Sequence, residues 1–187
     1  MISGNTNSIF GSQNTILGNN NAQKGNNNAI LGCDNLLSGN VNTIIGSSNA
    51  VGGNYNLVGG NLNTVKGSHN QAAGDKNNIL GKANKIWGSQ NSIFGSQNSI
   101  IGNQNIADGY INYIQGNKNG VSGSANQISG SVNFVRGNLN QISGNKNLLS
   151  GSKNAIAGCD NTVMGTVNMV KGSNNQILGN GNRISGQ

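Results

Sequence analysis

Apolar and polar positions follow a strict seven-residue rhythm along the chain. Each unit reads G-[SN]-x-N-x-[IVL]-x. Gly stands at position 4 and at every seventh position through Gly186, 27 times without insertion or deletion. All 26 slots three residues after those glycines, from Asn7 to Asn182, are Asn. Of the 26 apolar slots from Ile9 to Ile184, 23 hold Ile, Val or Leu, two hold Ala (Ala72, Ala107) and one holds Gln23. The stretch N-x-[IVL]-x alternates with the period of a short strand, placing Asn and the aliphatic residue on one side and two variable residues on the other. G-[SN]-x reads as a tight turn, because Gly accepts positive φ and Ser or Asn bonds locally to the backbone.

Strand and turn in endless alternation predict a β-solenoid. A coiled coil shares the heptad period but needs two apolar positions per heptad. One aliphatic residue per strand fills a thin core between two facing sheets, whereas a three-sided coil would leave unfilled volume. The expected fold is therefore all-β, a two-sided parallel solenoid of about 13 coils of 14 residues, spanning 1–187 as one uninterrupted domain. At roughly 4.8 Å per coil such a rod is about 62 Å long. The Asn columns (Asn7, Asn14, Asn21, Asn28, Asn35, Asn42, Asn49, Asn56 and onward) are expected to stack as internal scaffold ladders bonding amide to amide. Gln23, polar in a core slot, is expected either to fray its coil locally or to bond the neighbouring Asn ladder.

Composition sharpens the picture mainly by exclusion. With 31 Gly, 41 Asn and no Pro or Glu, helical bundles are disfavoured, and the unbroken phase argues against disorder. No run approaches the ~18 apolar residues of a membrane span, and MISGNTN has neither the basic start nor the apolar run of a secretory signal. His69 is the only His and falls in a turn; Asp34, Asp75, Asp108 and Asp160 are dispersed. Nothing here builds a paired-carboxylate site, a zinc site or a phosphate loop. The expectation is a non-enzyme without catalytic residues, metal or cofactor. The net charge of +7 is spread thinly, which speaks for solubility rather than nucleic-acid binding.

Cys33 and Cys159 each occur in G-C-D-N and lie 126 residues apart. That separation is nine coils, about 43 Å, far beyond the ~7 Å Cα limit of a disulfide. They are small residues in a Ser slot, and the alternative is that they are intermolecular thiols paired in an antiparallel dimer.

Function, where the sequence carries any, lies in the 52 outward strand slots, of which 17 hold Leu, Ile, Met, Phe, Tyr or Trp. One face is apolar over its N-terminal half. Its candidate residues are Thr15, Leu17, Ala29, Leu31, Thr43, Ile45, Leu57, Trp87 and Ile101. Contiguous apolar strips of this kind mark interaction surfaces. No Pro, charged loop or helix caps either end, and open strand edges are templates for another chain.

The unit also resembles the repeat x-x-N-x-[VI]-x-G of the grass ice-recrystallisation-inhibition (antifreeze) proteins, in N-T-I-L-G (14–18), N-T-V-K-G (63–67) and N-T-V-M-G (161–165). The resemblance covers essentially the whole chain. It implies a two-sided β-roll with internal Asn ladders and a flat ice-binding face rich in Thr, Ser and Val. Thr15, Thr43, Thr64 and Thr162 are the outward Thr here, four of 52 slots. Two functional expectations follow. The leading one is a self-associating structural rod or filament subunit, stacking end to end through uncapped coil edges, whose partner is itself. The alternative is an ice-binding protein whose partner is the ice surface.

Overall fold

The computed structural model describes residues 1–186. The chain divides into two compact units, Met1–Phe94 and Gly95–Gln187, each a two-sided parallel β-solenoid. In the first unit, strands Ile2–Ser3, Thr15–Leu17, Ala29–Leu31, Thr43–Ile45, Leu57–Gly59, Gln71–Ala73 and Lys85–Trp87 form one sheet, the Thr15 sheet. The intervening strands, from Ser8–Phe10 through Leu36–Ser38 to Asn78–Lys82, form the other, the Leu36 sheet. The second unit repeats the plan. Its Tyr113 sheet runs from Ser99–Ile101 to Arg183–Ser185. Its Phe134 sheet runs from Ile106–Tyr110 to Gln176–Leu178. Every pairing is parallel with a step of 14 residues, as in Ile16↔Ile30 and Ile30↔Ile44. The sequence expectation of 14-residue coils holds.

Alternation along each three-residue strand decides what is buried. The middle residue is interior and its two neighbours face out, as in Thr15–Leu17 and Gln127–Ser129. The core is thus a double column of aliphatic side chains, including Ile16, Ile30, Ile44, Val58 and Ile86 from the Thr15 sheet, each at 3% exposure or less. Asn14 and the later repeat Asn residues through Asn168 are buried beside them.

A buried amide must find partners or forfeit ~1–3 kcal/mol per orphaned group. Asn63 shows how all are found. Its Nδ2 donates to the Asn49 side-chain oxygen at 3.1 Å and to the Gly74 carbonyl at 2.8 Å. Its own Oδ1 accepts from the N–H and the Nδ2 of Asn77, at 2.9 and 3.0 Å. Asn has just the reach for this and carries both donor and acceptor. Asp would lack the donors, and Leu would lack everything.

The turn is equally determined. At Gly74 the backbone has φ +122°, and a Cβ there would lie 2.1 Å from the Gly88 carbonyl oxygen of the next coil. Gly is therefore required twice over, by conformation and by the closeness of stacked turns. The residue after it, Asp75, donates its N–H to Ser89 Oγ at 3.0 Å, and its own carboxylate accepts from the Asn61 N–H at 2.7 Å. This second, outer ladder explains the Ser/Asn preference. Those side chains bond the neighbouring coil, not the local backbone that the sequence reading assigned them. The following slot is left-handed: Val41, Tyr55, His69 and Lys76 have φ between 57° and 61°.

Gln23 departs from both expectations. Its strand, Ala22–Lys24, is regular and paired on both sides, Ile9↔Gln23 and Gln23↔Leu37, so the coil does not fray. The amide does not join the Asn ladder. Nε2 donates instead to the Gly25 carbonyl at 3.2 Å, which already accepts from Asn14. Gln23 Oε1 has no partner. Local geometry wins, because the longer Gln side chain folds back to the turn two residues on.

Candidate functional site

The outward positions of the Thr15 sheet make two aligned columns. One reads Thr15, Ala29, Thr43, Leu57, Gln71, Lys85, and the other Leu17, Leu31, Ile45, Gly59, Ala73, Trp87. No charge interrupts this face from Ser3 to Ala73; the first is Lys85. Leu17, Leu31, Ile45 and Leu57 are 36–51% exposed, enough to present their methyl groups to water while the ladder behind fixes their backbones. The hydroxyls of Thr15 and Thr43 lie two strands apart in the same column. The opposite face of this unit is different in kind. It carries Lys24 and Lys66 and a projecting Phe10, 69% exposed.

Of the sequence-derived candidates, Thr15, Leu17, Ala29, Leu31, Thr43, Ile45 and Leu57 form one contiguous patch. Trp87 is in the same column as Ile45, across a shallow hollow floored by Gly59 and Ala73. Ile101 belongs to the second unit, on the strand beside Tyr113–Gln115.

The structure adds surface that a survey of strand slots does not contain. Val41, Tyr55 and Leu62 in the first unit, and Tyr110, Ile111, Val132, Leu139 and Val167 in the second, are exposed apolar or aromatic residues at the turns. All but Tyr110 stand two residues after a repeat Gly, and that spacing was the available signal. Tyr55 stacks on His69 of the next coil, rings 5.0 Å apart and nearly parallel.

Both thiols are free. Cys33 takes the Ser/Asn part in the outer ladder: its Sγ accepts from the Asn19 N–H at 3.4 Å, and its N–H donates to Ser47 Oγ. Cys159 likewise donates its N–H to Ser173 Oγ. Among the described residues no group of three His, Cys, Asp or Glu is placed to hold a metal ion, and no helix is long and apolar enough to cross a membrane.

Fold and surface together define a class: a two-sided parallel β-solenoid with internal Asn ladders and, in the first unit, a charge-free run of Thr and aliphatic residues on one face. Within that class the sequence profile of the grass antifreeze beta roll matches residues 1–74, 70–151 and 112–187, and the chain belongs to that family. The family is a non-enzymatic kind of protein. No curated protein matches the chain. Among solved structures, LpxA from Acinetobacter baumannii is 16% identical with a TM-score of 0.26, over 92% of this chain and 65% of that one. The polySia-specific acetyltransferase NeuO is 11% identical with a TM-score of 0.16, over 92% of this chain and 78% of that one. Likenesses so slight carry no argument about fold or activity.

Proposed function

We propose that the protein binds ice and restrains the regrowth of ice grains, using the Thr15 face of the first unit. The observation that carries this reading is the flat run from Thr15 to Leu57, free of charge and held by a backbone with every turn donor bonded. Membership of the antifreeze beta roll family supports it.

The physical account runs from the surface to the water. Methyl groups cannot hydrogen-bond, so water over Leu17, Leu31 and Ile45 bonds to other water and loses orientational freedom. The Thr15 and Thr43 hydroxyls, each with one donor and two acceptor sites, anchor such water at fixed points. With coils stacked at about 4.8 Å and the Ala29 strand between them, these two points stand about 9.6 Å apart. A charged side chain would impose a hydration shell of its own, which is why the absence of Lys from this patch matters. Binding is then an adsorption without chemistry. Dilute protein is expected to slow the coarsening of ice grains in a frozen film, and coarsening at the buffer rate would refute the reading.

A second reading is favoured by the same exposed apolar side chains. Lateral self-association would cover Leu31 and Ile45 and yield a structural assembly. Sedimentation velocity separates the two: an isolated chain at micromolar concentration would refute the second reading, whereas concentration-dependent assembly supports it.

A further inference from the structure

The outward columns of the Tyr113 sheet have another chemistry. Tyr113, Gln127 and Gln141 are adjacent in one column, and Gln115, Ser129 and Ser143 in the other, in strict register. All six are exposed. None is charged. Amides on neighbouring coils of this protein normally saturate one another, as Asn63 and Asn77 do. Among the described residues, the side chains of Gln115, Gln127 and Gln141 have no hydrogen-bond partner. The face thus holds ranked, unspent amides, each with two donors and two acceptor sites, beside two hydroxyls and one aromatic ring. Next in line, Ala155 and Ala157 floor a trough between Gln141 and Met169, with the first charge of this face, Lys171, on its far side.

We infer that this face binds a neutral, extended polysaccharide lying flat along the coils. Sugar hydroxyls are paired donors and acceptors, which is what a Gln amide complements. The C–H face of a pyranose ring is apolar and packs on an aromatic ring such as Tyr113. The run from Tyr113 to Ser143, without charge, favours a neutral glycan over an acidic one, and its straight ladder of sites favours a ribbon-like β-linked glucan over a helical α-linked one. Repetition at about 4.8 Å per coil lets weak contacts add along one chain, in the manner of linked binding sites.

The test is co-sedimentation of the full chain with microcrystalline cellulose in about 1 M salt, where attraction by the +7 net charge is screened. Starch granules and polygalacturonate serve as parallel arms. The wild type is expected to sediment with cellulose, and a Tyr113→Ala/Gln127→Ala/Gln141→Ala variant to bind about tenfold more weakly, since three modest contacts are lost together. Leu148→Lys, on the Phe134 sheet, is expected to bind as the wild type does. Circular dichroism melting of each variant shows whether the fold is kept. Wild-type protein left in the supernatant, sedimentation only with polygalacturonate or starch, or a triple variant that binds like the wild type would each overturn the inference. Ice-grain growth measured on the triple variant keeps the two readings apart, since the ice reading rests on the other unit and expects no change there.

Discussion

Asn77 donates both its backbone N–H and its side-chain amide to one atom, the side-chain oxygen of Asn63, at 2.9 and 3.0 Å. This double donation, repeated in many of the coils, as from Asn35 to Asn21 and from Asn147 to Asn133, converts a polar side chain in the interior into a cross-brace. Replacing Asn63 by Ala would orphan the Gly74 carbonyl and the N–H of Asn77, and would leave Asn77 Nδ2 with the Gly88 carbonyl alone. At ~1–3 kcal/mol for each of the two buried groups left unpaired, Asn63→Ala is expected to destabilise by about 2–6 kcal/mol. Denaturant unfolding of the variant reads this directly, and a loss under about 1 kcal/mol would show that water replaces the ladder at no great cost.

Gly74 tests the turn. Gly74→Ala sets a methyl carbon on the Gly88 carbonyl and forces a non-Gly residue to φ +122°. Both stacked turns must part, which places the change among the exceptional ones above about 4 kcal/mol. The expected outcome is loss of cooperative melting in that region, seen as lost amide-exchange protection in the coils on either side. Unchanged protection would contradict the stacking geometry.

Gln23 gives the opposite sign. Gln23→Leu removes a buried oxygen without a partner and matches Leu37, its neighbour in the column. Relief of about 1–3 kcal/mol is expected, which is about 2–4 °C in thermal midpoint per kcal/mol for a chain of this size. A midpoint that falls would mean that Gln23 Oε1 is solvated from inside the fold.

The left-handed turn slot supplies a fourth stability test. Val41 holds φ 57°, a region that costs an ordinary L-residue about 1–2 kcal/mol and that Asn tolerates. Val41→Asn is therefore expected to stabilise by about 1 kcal/mol in the same unfolding experiment. Destabilisation would show that the exposed Val41 side chain packs more usefully than its strain suggests.

Much of this molecule was legible from Gly, Asn and the aliphatic slot. The unbroken phase from Gly4 to Gly186 set the seven-residue unit of strand and turn, and the single aliphatic position per strand set two such units, 14 residues, to each coil. The outer ladder was not legible. Ser and Asn after Gly suit a local turn bond and a bond to the next coil equally well, so residue type alone does not separate Asp75 bonding at home from Asp75 bonding Asn61. Gln23 was misjudged because side-chain length, not polarity, decided its partner. The left-handed slot escaped notice because its side chains point to solvent, which lets Val41, Tyr55 and Lys76 occupy one conformation with no common chemistry. Choosing a face was harder still. Outward slots carry no period, and only the sheet register set Thr15 above Ala29 and Thr43 and showed the hollow that separates Trp87 from Ile45.

The central claim is that ice is met by the Thr15 face and not by its opposite. Incorporation of labelled protein into a slowly growing ice hemisphere measures this most directly, comparing the wild type with Ile45→Lys and with Leu36→Lys on the other sheet of the same unit. Both substitutions are at exposed positions and leave the ladders untouched. The account predicts that the wild type and Leu36→Lys enter the ice while Ile45→Lys is excluded into the liquid. Exclusion of the wild type, or entry of Ile45→Lys at the wild-type level, would contradict it.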